Sequence, residues 1–174
     1  MKLLVIGFGQ CGGRIADEFA RINERARSRR GVEIVTGAYA VNTDVTDLSG
    51  LSCIKSDYQH RILIGNRKTG GHGVGKINEL GAEIAKKDSD KIIDAMKSTR
   101  HFYETDAFLL IAGAAGGTGS GAMPIIAQIL KQRYQNKPTY TLIVLPFENE
   151  EKGEARTNFN TATCFKAAYP FSDA

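Results

Sequence analysis

Thirteen of the nineteen glycines of this 174-residue chain fall in just 22 positions, four within residues 7–13, four within 70–75 and five within 113–121. The first and third clusters each follow a short apolar run, Lys2–Phe8 and Ala107–Ala112. Glycine scattered along a chain reads as linker. Packed against apolar runs it marks turns where the backbone must approach something closely. A chain of this kind leaves its apolar runs through tight, small-residue turns.

The rest of the pattern fills in that frame. Lys2–Phe8 reads as a buried strand. A helix is expected from Arg14, with Ile15, Phe19 and Ile22 on one face and a basic tail at Arg25–Arg30. Val32–Val41 reads as a second strand, or as two short ones broken near Gly37, and Arg61–Ile64 as a short third. Helices are expected over Lys76–Ala85 and Asp90–Met96, the latter capped by Ser89 or Asp90. Ala107–Ala112 is a strongly apolar strand, and Met123–Tyr134 reads as a helix. Thr139–Leu145 reads as a strand closed by Pro146, and Asn158–Ala168 as a helix. Tyr169–Ala174 has the look of an approach to a further strand. Strands that are apolar throughout and alternate with helices predict a parallel sheet covered on both faces. No repeat, low-complexity tract or linker interrupts the chain.

Composition removes other classes. The chain is 42% hydrophobic and 24% charged, an ordinary globular balance, and no apolar run approaches the ~18 residues of a membrane span. The apolar run Leu3–Ile6 is too short for a secretory signal. Cys11, Cys53 and Cys164 are odd in number and lack metal-ligand spacing, which fits a reducing cytoplasm. Arg21, Arg25, Arg27, Arg29 and Arg30 could attract acidic partners. A solvated helix end and loop is the favoured reading, because no aromatic residues are interleaved for base stacking.

The glycine loops carry the chemistry. Gly7-Phe8-Gly9-Gln10-Cys11-Gly12 is a G-x-G-x-x-G between strand and helix, a turn whose amides can meet phosphate at a helix N-terminus. A tight turn without ligand is the alternative. An acid closing the second strand about 20 residues on is missing, since Asn42 and Asp44 lie more than 30 residues away. Gly70–Ile77 nearly spells the P-loop G-x-x-x-x-G-K-S/T, with Ile77 where the Mg²⁺-binding hydroxyl belongs, so it reads as an anion-binding loop rather than a P-loop. His72 reads as a loop polar group, and Cys11 as a small packing residue. Gly113–Gly121 again joins strand to helix, and there Thr118 and Ser120 add hydroxyls. An ordinary dinucleotide fold has no use for a second such loop. Loops at the same ends of neighbouring strands would surround one phosphate chain.

These residues resemble a known family. Ala115-Gly116-Gly117-Thr118-Gly119-Ser120-Gly121 matches the tubulin signature at every position, and Gly9-Gln10-Cys11-Gly12 is similar to tubulin's first nucleotide loop. Ala40-Val41-Asn42-Thr43-Asp44 resembles the second loop of the prokaryotic homologue FtsZ and its archaeal CetZ relatives. The glycines of 70–75 resemble their γ-phosphate-sensing third loop. Pro146-Phe147, the acidic stretch after it and Arg156 resemble the ribose-contacting fifth loop.

The resemblance implies an α/β fold, a Rossmann-like three-layer sandwich with a mostly parallel sheet, forming a GTP-binding domain over residues 1–174. It further implies a cytoplasmic, cytoskeletal protein that polymerises head to tail, with other filament-associated proteins as partners and a role in division, shape or positioning. GTP or GDP would be the ligand, with Mg²⁺ near Asp44. By position, Gly9, Gln10, Cys11 and Gly12 would line the base and α-phosphate, and Asn42 and Asp44 the phosphates. Gly71, His72 and Gly73 would face the γ-phosphate. Gly116, Gly117, Thr118, Gly119 and Ser120 would hold the β-phosphate region. Arg156 with Glu154 would meet the ribose, Glu150 and Glu151 being alternatives. The family's later guanine-contacting helix, catalytic acidic loop and second domain have no counterpart in these residues. No catalytic group is therefore expected in this chain, and hydrolysis would be completed by an adjacent subunit. Two other readings stand beside this one, an NAD(P)- or FAD-binding oxidoreductase domain built on Gly7–Gly12, and a non-hydrolysing regulator of filaments.

Overall fold

The structure is a computed structural model, and it describes residues 1–147 and 155–174. Five parallel strands form one sheet in the order β3-β2-β1-β4-β5, with β1 at Leu3–Phe8, β2 at Val35–Asn42, β3 at Arg61–Leu63, β4 at Ala107–Gly113 and β5 at Thr139–Val144. One face packs against α1 (Gly9–Arg30) and the short α2 (Val45–Ser49), through Val5, Ala16, Leu48 and Ile111. On the other face, α4 (Asn78–Lys87), α5 (Ser89–Lys97), α6 (Thr118–Arg133) and α7 (Ala155–Ala168) bury Ile84, Ile92, Met123 and Cys164 against Leu4, Ile6 and Leu110. A one-turn α3 (Asn66–Thr69) follows β3. The expected three-layer α/β sandwich is what forms.

Chain order and strand order together locate a cleft. From β1 the chain moves outward to β2 and β3, then crosses to the far side of β1 for β4 and β5. The carboxyl ends of β1 and β4 are therefore the point where the winding reverses, the usual place for a ligand in such sheets.

Several boundaries differ from the sequence expectation for one reason. α1 begins at Gly9 rather than Arg14, and α6 at Thr118 rather than Met123. Both helices open on glycine-rich turns whose residues carry no apolar periodicity, so the 3.6-residue pattern starts late. What fixes these turns is backbone packing. A Cβ on Gly12 would lie 2.1 Å from the Ile111 carbonyl oxygen, and one on Gly121 would lie 2.1 Å from the Asn78 carbonyl oxygen. The β2 strand starts at Val35 without a break. Its irregularity is a register shift that leaves Thr36 unmatched between Leu3 and Leu4, and the Thr36 hydroxyl meets Thr105 Oγ1 at 2.7 Å. The cap of α5 is Asp88 rather than Ser89 or Asp90, and its carboxylate turns away to accept from Gly65 N–H at 2.7 Å. The sheet is also not covered throughout. β5 is half-buried, and Leu142, Leu145 and Phe147 are exposed. Along its outer edge Asp173 N–H donates to the Thr139 carbonyl (2.8 Å) and Thr141 N–H to the Ala174 carbonyl (2.9 Å). The tail thus runs beside β5 without forming a strand.

Asp17, on α1, gathers the loop after α2. Its carboxylate accepts from the N–H groups of Ser52 (3.0 Å), Cys53 (2.8 Å) and Ile54 (2.7 Å). Partial burial pushes its pKa up, but the three N–H donors and nearby Arg61 outweigh this and hold it below the ordinary value of 3.8. A depressed carboxylate stabilises the fold above its unfolded pKa, and that contribution disappears as pH falls through the lower folded value. Asp17→Asn is expected to lower stability by about 1 kcal/mol at neutral pH, the scale of a hydrogen bond to a partly solvated charge. It should also flatten the acid limb below about pH 4, as read from urea unfolding across pH.

Candidate functional site

A cleft of about 440 Å³ opens at the carboxyl ends of β1 and β4. Two helices begin at its floor. α1 starts after Phe8 and α6 after Gly117, neither has a side chain capping its N-terminus, and neither carries an acidic residue in its first turn. The first N–H groups of a helix have no internal acceptor and sit at the positive end of its dipole. The two termini are sealed to one another. Gly9 has φ +68°, and a Cβ there would meet the Gly119 nitrogen at 3.0 Å, while a Cβ on Gly119 would lie 2.9 Å from the Phe8 carbonyl oxygen. Two bare helix N-termini in backbone contact make a floor of donors suited to an anion larger than one phosphate.

The walls come from loops tied by hydrogen bonds. Asn42 ends β2, and its Oδ1 accepts from Thr43 N–H at 2.8 Å. Its Nδ2 donates to Asp47 at 2.9 Å, and the other Asp47 oxygen accepts from Gln10 Nε2 at 2.9 Å. Asp44 caps α2, with Oδ1 accepting from Thr46 N–H at 2.8 Å and Asp47 N–H at 3.2 Å. Its Oδ2 lies toward Gly73, 3.6 Å from where a Cβ would stand. The 42–45 and 70–75 loops are joined backbone to backbone, through Val45 N–H to the Gly71 carbonyl (3.0 Å) and Gly73 N–H to the Thr43 carbonyl (3.1 Å). Gly70, Gly71, Gly73 and Gly75 all have positive φ, and so does Lys76 at +61°, a conformation that a residue with a Cβ holds only under constraint.

Of the expected residues, Gly9, Gln10, Cys11, Asn42, Asp44, Gly73, Gly116, Gly117, Thr118 and Gly119 line the cleft together. Gly12 lies beneath it against β4, and Gly71 packs against Val45. His72 is exposed outside the lining. The Ser120 hydroxyl is turned inward onto the Gly116 carbonyl, and the Thr118 hydroxyl meets Thr43 Oγ1 at 2.7 Å. Arg156 is not among the residues that line the cleft. It pairs with Glu79 and donates to the Lys76 carbonyl at 3.3 Å, its guanidinium 5.6 Å from the Phe159 ring centre. Glu154, Glu150 and Glu151 lie outside the described residues. Burial raises the Cys11 pKa more than Arg14 lowers it, so at neutral pH Cys11 is a thiol, as befits a packing residue.

The sequence reading missed Asp47, Val74, Lys76 and Thr157, all of which line the cleft. Lys76 follows Gly75 as a P-loop lysine would, and that was its one signal. The 70–77 stretch is not a P-loop, because α3 separates it from β3.

The tubulin/FtsZ family model (Tubulin/FtsZ family, GTPase domain) matches residues 2–173. The chain belongs to the Tubulin/FtsZ family. The tubulin-like protein CetZ1 of Haloferax volcanii is 46% identical over 150 residues, covering 86% of this chain and 36% of that protein. Its GDP-bound monomer superposes with a TM-score of 0.87 at 42% identity, over 99% of this chain and 49% of that one. CetZ2 of the same organism, solved as a GTPγS-bound protofilament, gives a TM-score of 0.87 at 33% identity over 100% of this chain and 48% of that one. An FtsZ dimer of M. jannaschii, 26% identical over 99% of this chain and 43% of that one, gives a TM-score of 0.75. This chain thus spans about half the length of the solved family members it matches. Among the described residues, no helix is long and apolar enough to cross a membrane.

Because Asp47 accepts from both the Gln10 and the Asn42 NH₂ groups, Asp47→Ala should leave both donors without that acceptor. A loss of about 1–2 kcal/mol in folding stability is expected, as read from chemical denaturation.

Proposed function

We propose that this chain is the nucleotide-binding domain of a cytoskeletal GTPase of tubulin/FtsZ type, which takes GTP or GDP in the cleft and assembles head to tail in the cytoplasm. The observation that carries the reading is the pair of uncapped, acid-free helix N-termini meeting at one floor. A dinucleotide fold needs one such terminus, supplied here by Gly9–Gly12, and gives no reason for the second at Gly116–Ser120. The GDP of CetZ1 and the GTPγS of CetZ2 support the choice of nucleotide.

In this reading the N–H groups of Gln10, Cys11, Thr118 and Gly119 hold the α- and β-phosphates, and Gly73 with its neighbours meets the γ-phosphate. Lys76, at the cleft wall, adds a cation. Asp44 fits a Mg²⁺ ion, because it lines the cleft and it is Oδ1 that caps α2, while Oδ2 lies toward Gly73. The ion would offset the charge of the phosphate oxygens. Catalysis by these residues is positioning and charge neutralisation. Asp44 and Asp47 are the acids lining the cleft among the described residues, and both are engaged in hydrogen bonds. Neither is placed to activate water, and in this reading the water-activating group comes from an adjacent subunit, as the family resemblance implies.

Calorimetric titration of the chain with GTP, GDP, ATP and NAD tests the reading. Guanine nucleotides should bind and NAD should not. Binding of NAD with no binding of guanine nucleotides would overturn it in favour of an oxidoreductase domain. Gly117→Ala with Thr118→Ala is expected to weaken nucleotide binding about tenfold or more. A Cβ on Gly117 would lie 2.6 Å from Val74 Cγ2 and 2.9 Å from the Ile77 nitrogen, and loss of the Thr118 hydroxyl frees the loop from Thr43, so that the loop N–H groups lose their aim at the phosphates. An unchanged dissociation constant would make the third loop purely structural.

A further inference from the structure

A buried amide lies behind the cleft. Asn160, on α7, is 0% exposed. Its Nδ2 donates to the Lys76 carbonyl at 2.9 Å and the Ala115 carbonyl at 3.0 Å, with the Gly116 carbonyl at 3.3 Å. Its Oδ1 is buried with no partner. The orientation is thereby fixed, since a flipped amide would set Oδ1 against three carbonyl oxygens. A wholly buried side chain that leaves its acceptor unsatisfied is kept for what its donor does. Here two N–H bonds reach two different loops, the strained 70–76 loop and the 113–117 loop.

The bonds also aim the backbone. No peptide bond among the described residues is cis, and in a trans peptide the carbonyl of one residue and the N–H of the next point in opposite directions. Drawing the Ala115 and Gly116 carbonyls toward α7 turns the N–H groups of Gly116 and Gly117 away from it. Both glycines line the cleft. The two loops touch at Gly117, where a Cβ would lie 2.9 Å from the Ile77 nitrogen and 2.9 Å from the Lys76 carbonyl carbon. Neighbouring turns of α7 strengthen the hold, with Arg156 on the Lys76 carbonyl and Asn78 Nδ2 donating to Thr163 Oγ1 at 2.6 Å. Among the described residues, Asn160 is the side chain of α7 that reaches both loops.

We propose that Asn160 is a positioning residue that orients the Gly116 and Gly117 amides toward the phosphate chain and sets the distance between the two loops, so that it governs the preference for a triphosphate over a diphosphate. The proposal rests on the guanine-nucleotide reading given above. Without the amide, the 113–117 donors lose their aim, which weakens both nucleotides. The 70–76 loop is also released, which weakens only the one with a γ-phosphate.

The test measures dissociation constants of GDP and GTPγS for the full chain and for Asn160→Ala, with circular dichroism and melting temperature as folding controls. Asn160→Ala should weaken GDP binding and weaken GTPγS binding about fivefold more, one further hydrogen bond's worth. A merely structural role would move the melting temperature and leave the ratio of the two constants unchanged, and that result overturns the proposal. Asn160→Asp, nearly the same shape, guards against a variant that fails to fold. As a carboxylate it faces carbonyl oxygens and as a neutral acid it donates one hydrogen bond, so its GTPγS preference should rise as pH falls. A pH-independent, wild-type ratio would overturn the proposal. If the unsubstituted chain binds neither nucleotide, the guanine-nucleotide reading itself falls, which separates the two failures.

Discussion

The structure depends on places where backbone meets backbone with no side chain between. A Cβ on Gly7 would stand 2.1 Å from the Gly12 carbonyl oxygen, which is how the chain turns from β1 directly into α1. Gly12 lets α1 lie on β4, Gly119 lets α6 meet the end of β1, and Gly81 and Gly121 let α4 and α6 cross at close range. Each contact removes the space an alanine would need, and overpacked interiors relax only at a cost of about 1–3 kcal/mol or more. The same absence of side chains leaves the helix-terminal N–H groups uncovered on the cleft side. Close packing and anion affinity therefore come from one choice of residue, and a substitution that harms one harms the other.

Around this floor the protein supplies few charges and many oriented dipoles. Asp47 is consumed in holding Gln10 and Asn42, half of Asp44 in capping α2, and the Thr118 and Ser120 hydroxyls in internal bonds. A site built this way is rigid before its ligand arrives, so little has to be reorganised as a phosphate chain enters.

Much of this was legible in the sequence because close approach without a side chain has only one residue that satisfies it. The clusters at 7–13 and 113–121 announced both turns, and the apolar runs before them announced β1 and β4. The same glycines hid where α1 and α6 begin, since they interrupt the periodicity by which a helix is recognised. Asp47, Thr157 and Asn160 were invisible for another reason. Asp47 and Asn160 act on partners 37 and 45 residues away, in the bonds from Gln10 to Asp47 and from Asn160 to Ala115, and Thr157 lines a cleft assembled from separate loops. The spacing of Arg156, Asn160 and Thr163, one side of a helix at i, i+4 and i+7, was the available clue, and it carries no meaning until the carbonyls it faces are known. Arg156 shows the converse: a motif position drew attention to the residue, while its side chain is occupied by Glu79.

The length of α1 has a consequence for reading charge. Its 22 residues run about 33 Å back from the cleft at 1.5 Å per residue, so Arg27, Arg29 and Arg30 lie at the opposite end of the domain. At physiological ionic strength fields between exposed charges decay over about 8 Å, and the separation is several such lengths. The charge of this arginine cluster is therefore screened from the cleft. Substitution of these arginines can retune one end of this domain and leave the electrostatics of the cleft unchanged.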